Sequence, residues 1–372
     1  MEVSTAAGRI LKMKMSQEIE KPVPIPLKNC TFAELGELMH RLGEPTYRVK
    51  QIIKWVYQKR IDSFDKMTTM PKVLRQRLHE IFTIRKMEPR NIVASKQHDA
   101  VKFVFGCVAS PHYIESVLLY DGKRRTACLS SQLGCALGCV FCATGKLGLI
   151  RNLTLEEIVG QLIGINDYLA LQKDKPVTNI VFMGMGEALS NFRQVRSALE
   201  IIMDEDAFNI GGRRITISTA GVVPSIERLM AEELNVGLAI SLNAFSDEKR
   251  NELMPVNKQY PIASLVGAAK RFYRKTGRRV TFEYVLIAGR TDTREAAAAL
   301  EKLLGSFPCK INLIPVNPAG NSSLRPPSDH ALTAFSDALH RRGLSATVRK
   351  SRGRDISGAC GQLCGGTCQQ ET

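Results

Sequence analysis

The chain has no uninterrupted apolar run of membrane-spanning length, which excludes a bilayer helix as its organising element. Its first residues scatter Lys and Glu between Lys12 and Lys21, with no apolar core followed by a processing pattern. No secretory signal is therefore expected, and a reducing cytoplasm is the expected compartment. Low-complexity composition is missing as well. With 372 residues and 44% hydrophobic content the chain can bury a large core, which excludes a disordered protein and predicts one major domain with a smaller attachment. Acidic residues are in short supply: 36 Asp and Glu face 52 Lys and Arg, a formal charge of +16. That balance predicts attraction to a polyanion, nucleic acid foremost, although a basic domain without a binding site has the same composition.

Cysteine is not scarce. Ten are present, without the dense spacing of a small disulfide-stapled domain. Three of them stand in Gly134-Cys135-Ala136-Leu137-Gly138-Cys139-Val140-Phe141-Cys142. What this loop lacks is a fourth cysteine. A structural zinc takes four protein ligands and a [4Fe-4S] cube has four iron corners, so three thiolates leave one coordination position for another molecule. On iron that position suits a chelating small molecule such as S-adenosylmethionine, but the spacing alone also admits zinc. Gly134 and Gly138 let the backbone turn tightly enough to aim the sulfurs at one metal. Of the other cysteines, Cys30, Cys107 and Cys309 read as core residues, and Cys128 and Cys360 as buried apolar thiols or as chemistry. Cys364 and Cys368 follow Cys360 at four-residue steps, which leaves a terminal metal knuckle open.

Periodicity divides the chain. Residues 1–28 read as an arm with alternating prolines at Pro22, Pro24 and Pro26, and 29–90 as a small basic helical domain. Its helices are marked by Phe32, Leu35, Leu38 and Leu42, by Val49, Ile52, Ile53, Val56 and Tyr57, and by Leu74, Leu78 and Phe82. Lys50, Lys54, Lys59 and Arg60 fall near the wetter side of the second, as a solvated face or as an RNA contact. Residues 91–124 carry β-rich text around Val101 to Phe105 and Ile114 to Tyr120, an antiparallel meander. Glu115 is an acid in that apolar segment and, if its face covers the site, a candidate proton acceptor.

From 125 to 350 strands and helices alternate. Strands are predicted at Arg125–Leu129, Asn179–Met183, Arg214–Ser218, Gly237–Leu242, Arg279–Ile287, Lys310–Val316 and Ala346–Arg349. Helices are predicted at Leu155–Leu169, Phe192–Ile202, Val223–Ala231, Ile262–Thr276, Thr293–Leu304 and Ala331–Arg341. The fold class is α/β, a partial (β/α)6 barrel with a meander extension and a helical domain, and 351–372 forms a terminal segment. A doubly wound sheet is the alternative, but the polar motifs are spread over many strand ends instead of one switch point. The cysteine loop, Gly184-Met185-Gly186-Glu187, Ser218-Thr219, Ser241-Leu242-Asn243 and Asn317-Pro318 each follow a strand, and in a barrel they converge on one mouth. The glycine turn lacks the full dinucleotide spacing; its glycines permit a ligand near the backbone, with Glu187 accepting from a ligand ammonium.

These motifs, together with Gly43 to Arg48, Cys128-Leu129-Ser130-Ser131-Gln132, Asn312 to Pro315 and Cys360-Gly361-Gln362-Leu363, closely resemble the radical S-adenosylmethionine RNA adenine-C2 methyltransferases, the RlmN and Cfr family. The resemblance implies a radical S-adenosylmethionine barrel holding a [4Fe-4S] cluster on Cys135, Cys139 and Cys142, with S-adenosylmethionine chelating the fourth iron. It implies cofactor contacts at Gly186, Glu187, Ser218, Ser241, Leu242, Asn243 and Asn317. Cys360 matches the methyl-carrying cysteine, Cys128 the second thiol that ends in a disulfide with it, and Glu115 the general base. The implied substrates are adenosine 2503 of 23S rRNA, acted on before ribosome assembly is complete, and adenosine 37 of some tRNAs. An electron-donating reductase, no membrane and a monomeric protein complete the implication. The sequence texture is closer to the RlmN branch than to the Cfr-like branch, which methylates C8 of the same rRNA adenosine and confers antibiotic resistance. Asn243 departs from the family's His, and the extra Cys364 and Cys368 raise redox exchange with the Cys128 and Cys360 pair. A zinc-bearing RNA-binding protein without catalysis is the non-enzyme alternative.

Overall fold

The computed structural model describes residues 24–365 apart from 109, 306 and 319–322. Nearly all of the expected N-terminal arm, and Cys368 of the expected terminal knuckle, lie outside the described residues.

A short strand β1 (Ile25–Pro26) leads into three helices, α1 (Phe32–Arg41), α2 (Tyr47–Ile53) and α3 (Lys72–Ile81), and β2 (Phe82–Thr83) returns parallel to β1. Helix α1 begins where a capping box permits it. The Thr31 hydroxyl accepts from the Glu34 amide at 3.3 Å and the Glu34 carboxylate accepts from the Thr31 amide at 2.8 Å. Leu35, Leu38 and Met39 form its buried stripe. Helix α2 continues into a π-helical turn over Lys54–Gln58. The basic face expected there is partly spoken for: Lys50 and Lys54 reach Asp206 of the core at 3.8 and 3.5 Å, and Arg60 reaches Asp167 at 2.6 Å.

Ten strands make one sheet. β3 (Pro89–Ala94), β4 (Ala100–Gly106), β5 (Tyr113–Asp121) and β6 (Arg124–Cys128) form the antiparallel meander. The order then runs parallel from β6 through β9 (Asn179–Phe182), β10 (Ile215–Thr219), β11 (Gly237–Ser241), β12 (Val280–Leu286) and β13 (Cys309–Pro315) to β14 (Ala346–Val348). The sheet ends at β14 and β3 without closing, so the barrel is partial. A separate ribbon, β7 (Gln132–Gly134) with β8 (Leu149–Asn152), flanks the short helix α4 (Ala143–Lys146). The ribbon was not expected from sequence, because two strands of three and four residues carry no usable period.

The crossovers between parallel strands are α5 (Leu155–Leu171), α6 (Phe192–Met203), α7 (Val223–Ala231), the pair α8 (Asp247–Leu253) and α9 (Ile262–Thr276), α10 (Arg294–Leu304) and α11 (Asp329–Arg341). All but α8 were expected, and α8 was missed because Asp-Glu-Lys-Arg-Asn-Glu-Leu has almost no apolar face. Helix α5 is buried nearly all round. The helical domain covers it on one side, where the Glu156 amide donates to Asn29 Oδ1 at 2.9 Å, and the meander covers the other, where a Cβ at Gly164 would meet the Phe105 ring. Strand β12 lies between β11 and β13, and its apolar run is broken only by Thr281 and a buried acid, Glu283.

Candidate active site

Strand ends set the site. A cavity of about 170 Å³ at the C-terminal mouth is lined by Cys135, Cys139 and Cys142 and by groups from β9, β10, β11, β12 and β13. Gly186, Glu187, Ser218, Ser241, Asn243 and Asn317 all line it, as expected. Leu242 is the exception; its side chain is fully buried away from the lining and only its backbone takes part, donating to the Glu283 carbonyl at 3.0 Å.

Backbone geometry explains two of the loops. Gly134 has φ +75°, and a Cβ there would stand 1.9 Å from the Gly148 carbonyl, which already accepts from the Cys135 amide at 2.8 Å. Only glycine lets the ribbon close under the three cysteines. Gly186 has φ +92°, with Gln132 Cβ 2.4 Å from the place a side chain would occupy. Gln132 answers by accepting from the Glu187 amide at 2.8 Å, which fixes the glycine turn to the ribbon.

Glu187 is buried, and that burial pushes its carboxyl upward; hydrogen bonds from the Ala220 amide, from Thr219 and from the Leu189 amide oppose the shift. The first of these is 2.7 Å and the last 3.2 Å. Asn243 sits in the left-handed region at φ +57°, which Asn tolerates better than most residues, and its amide bridges the Val285 amide and Met254 Sδ at 3.0 and 3.3 Å. A ring is not needed to make these two contacts. Asn317 donates to the Cys360 carbonyl at 3.1 Å and accepts from Arg354 Nε at 2.7 Å, so it also ties the terminal segment to β13.

Two of the three loop cysteines, Cys135 and Cys139, sit where burial disfavours their thiolates. Burial pushes Cys135 up to about 11 and Cys139 further, and their neighbours Cys142 and Glu187 add to the rise. Among the described residues no three His, Cys, Asp or Glu side chains stand close enough together to hold a single metal ion. The fit to a metal group rests instead on three thiols lining one cavity, two of them, Cys135 and Cys139, costly to deprotonate without a compensating cation.

A second, larger cavity of about 680 Å³ adjoins the first. Cys128, at the end of β6, lines it, and Cys142, Arg349, Cys360 and Gly361 line both. Cys360 therefore stands at the partition, facing the cysteine-loop cavity on one side and Cys128's chamber on the other. Arg124, Arg213, Arg214, Lys350 and Arg352 give the chamber basic walls. Burial pushes Cys128 up to about 12, with Cys360 contributing. Both residues are free thiols, so the disulfide implied by the resemblance is not a bond of this structure.

Sequence reasoning missed Arg349. Its guanidinium is held charged by Cys360 against the effect of burial, with Glu283 and Cys128 adding to the same side. The signal was present as the first member of the run Arg349 to Arg354 after the last strand. Arg250 was missed too. It is fully buried and donates to the carbonyls of Leu242, Ala220 and Ser241 at 2.9, 2.6 and 2.9 Å and to Asn257 Oδ1 at 3.0 Å. Glu115 is not among the residues lining either cavity. Its buried carboxylate pairs with Lys102 at 3.2 Å and accepts from the amides of Cys364 and Gly365.

Comparison with known proteins places this arrangement. Residues 25–84 match the ribosomal RNA large subunit methyltransferase N-terminal domain, and 129–301 match the Radical SAM superfamily. The chain is 44% identical over 337 residues to the dual-specificity RNA methyltransferase RlmN of Marinobacter nauticus, covering 90% of each chain. It is 44% identical over 345 residues to that of Geobacter sulfurreducens, covering 92% of each. A crystal structure of a radical SAM methyltransferase from Sphaerobacter thermophilus superposes with a TM-score of 0.86 at 43% identity, covering 91% of this chain and 99% of that one.

Proposed function

The chain belongs to the RlmN-type radical S-adenosylmethionine RNA methyltransferases, and from that premise we propose that it methylates C2 of adenine in RNA, with Cys360 as methyl carrier. The substrates in this reading are adenosine 2503 of 23S rRNA and adenosine 37 of some tRNAs. Family membership removes the non-catalytic zinc alternative. One observation carries the mechanism: Cys360 lines both cavities, so the residue borders the cysteine loop and the basic chamber together.

Adenine C2 is electron-poor and offers no lone pair to a sulfonium methyl, so polar transfer to it is a poor route. Bound on Cys135, Cys139 and Cys142, a [4Fe-4S] cluster with S-adenosylmethionine supplies a methyl group and hydrogen-abstracting radical chemistry. The chain's own residues do the rest. Cys360 accepts the methyl group and presents it toward the chamber. Arg349 provides a positive charge that acts on both Cys360 and Cys128. The arginines and Lys350 of the chamber rim take RNA phosphates, and the base arrives single-stranded or extruded because C2 is unreachable in a paired helix. Cys128 then gives up its proton and attacks the Cys360 sulfur, so that the carbon–sulfur bond of the adduct breaks. The product carbon keeps the electron pair and takes a proton to become the methyl group, and a Cys128–Cys360 disulfide forms for an external reductant to reopen. Cys128 is protonated until that point, since burial disfavours its anion. The proposal includes an external reductase as electron source and a monomeric working form; among the described residues no helix is long and apolar enough to cross a membrane.

Nucleoside mass spectrometry of 23S rRNA and tRNA after reaction tests the assignment. 2-Methyladenosine is expected; 8-methyladenosine would move the chain to the Cfr-like chemistry, and unmodified adenosine would refute the proposal. Cys360→Ala should yield no product, and Cys128→Ala should accumulate RNA crosslinked to protein.

A further inference from the structure

Among the described residues lining the cysteine-loop cavity, two are acids, Glu187 and Glu283, and Arg349 is the one Lys or Arg. Both oxygens of Glu187 are engaged, Oε1 by the Leu189 amide at 3.2 Å and Oε2 by the Ala220 amide at 2.7 Å. Glu283 differs. Its Oε1 accepts from Asn312 Nδ2 at 3.0 Å, whereas its Oε2 is buried and has no hydrogen-bond partner among the described residues. Leaving a buried carboxylate oxygen unpaired is costly, so one kept on a cavity wall calls for a donor or a cation that arrives with the ligand.

The sheet fixes where that oxygen sits. Glu283 is 5% exposed, and the register of β12 sets it between Ser241 of β11 and Asn312 of β13. Its carbonyl accepts from the amides of Leu242 and Asn243 at 3.0 and 3.3 Å, which ties its backbone to the loop that follows β11. Burial pushes the Glu283 carboxyl upward, and the Arg349 guanidinium and the Asn312 amide oppose the rise. Arg349 is in turn held charged by Cys360 and Glu283 together, so the acid with the unpaired oxygen shares its cation with the residue read as methyl carrier. By itself Arg349 would repel a positively charged ligand from this cavity, and the Glu283 carboxylate offsets that repulsion.

A methyl-carrying Cys360 needs the cofactor twice, first as methyl donor and then as radical source, so the demethylated product must leave the cavity in between. Methyl loss converts a sulfonium cation into a neutral thioether. We propose that Glu283 is the specificity-determining residue that reads this change: its unpaired carboxylate oxygen favours a ligand positively charged at sulfur over neutral S-adenosylhomocysteine, and so clears the cavity for the second cofactor. The proposal rests on Cys360 being the methyl carrier. A ribose hydroxyl could also satisfy Oε2, but that hydroxyl is common to cofactor and product and gives no preference between them.

Anaerobic equilibrium dialysis of the cluster-loaded full chain against sinefungin and against S-adenosylhomocysteine tests the preference. Sinefungin carries an ammonium group where the cofactor has its sulfonium, and neither compound donates a methyl group, so binding is read without turnover. The parent should hold sinefungin at least about tenfold more tightly than S-adenosylhomocysteine. Glu283→Gln keeps an acceptor for Asn312; it should weaken sinefungin about 10- to 100-fold, the scale of a lost charged contact, and move S-adenosylhomocysteine by no more than about threefold. Glu283→Asp keeps the charge and should retain part of the preference. The proposal is overturned if a folded Glu283→Gln weakens both ligands alike, as loss of a hydroxyl acceptor would, or leaves the ratio of the two affinities where it was. It is also overturned, whatever the variants do, by a parent that binds the two ligands within about threefold of each other. The affinity ratio involves neither RNA nor methyl transfer, so failure of the methyl-carrier reading shows separately, as a parent whose Cys360 peptide never gains a methyl group.

Discussion

Arg250→Met should loosen the site from beneath while leaving every cavity-lining side chain in place. Arg250 is fully buried between α8 and the ends of β10 and β11, and its guanidinium bonds three backbone carbonyls, those of Ala220, Ser241 and Leu242. Burial lowers it to about 10, so it stays charged at neutral pH. Methionine fills much of the volume, but the three carbonyls lose this charged donor, at about 1–3 kcal/mol for each group left unsatisfied. Partial relaxation and other partners make the sum smaller than three full penalties, and about 3–5 kcal/mol is expected. The consequence reaches the loops that line the cavity, because the Ala220 amide is the 2.7 Å donor to Glu187 and Ser241 lines the cavity. Urea unfolding measures the first effect and equilibrium binding of S-adenosylmethionine to reconstituted protein the second. Arg250→Lys should recover only part of each, since one ammonium cannot span three carbonyls. The reasoning fails if Arg250→Met unfolds within about 1 kcal/mol of the parent and binds the cofactor equally well.

Gly134→Ala should cost about 3 kcal/mol or more, from a left-handed backbone and the 1.9 Å approach to the Gly148 carbonyl, and iron retained after anaerobic reconstitution should fall with it. Thr154→Ala removes half of the capping box that starts α5, where the Thr154 hydroxyl accepts from the Glu157 amide at 3.3 Å; urea titration should show a loss of about 1 kcal/mol. Alkaline pH should destabilise the chain. Burial raises Cys30 and Cys128 to about 12, above their unfolded value, so the unfolded chain ionises first and stability falls as pH climbs from about 9 toward 12. Each thiol contributes about 1.4 kcal/mol per pH unit in that window, and Cys30→Ala should flatten the profile measured by urea unfolding.

Much of the site was legible because its chemistry sits where the strand period stops. Strand ends such as Ser218-Thr219 and Ser241 to Asn243 are polar breaks in apolar runs, and β/α alternation says they share a mouth. The supporting residues were not legible. Arg250 lies in a helix with no apolar period, Gln132 in a three-residue strand, and Arg349 within a basic run indistinguishable in composition from surface charge. Glu115 was noticed for its oddity in an apolar strand, but its partners are 13 residues before it and 249 and 250 after it, distances no local pattern encodes. Leu242 was carried along by its neighbours in the motif, although its side chain points into the core.

The account turns on the passage of one methyl group through Cys360. Incubating the reconstituted protein with S-adenosylmethionine labelled at the methyl carbon, removing the excess, and adding RNA, reductant and unlabelled cofactor follows that passage by peptide and nucleoside mass spectrometry. The label should appear first on the Cys360 peptide and then move to C2 of adenosine. RNA that becomes methylated while the Cys360 peptide never carries label would contradict the account.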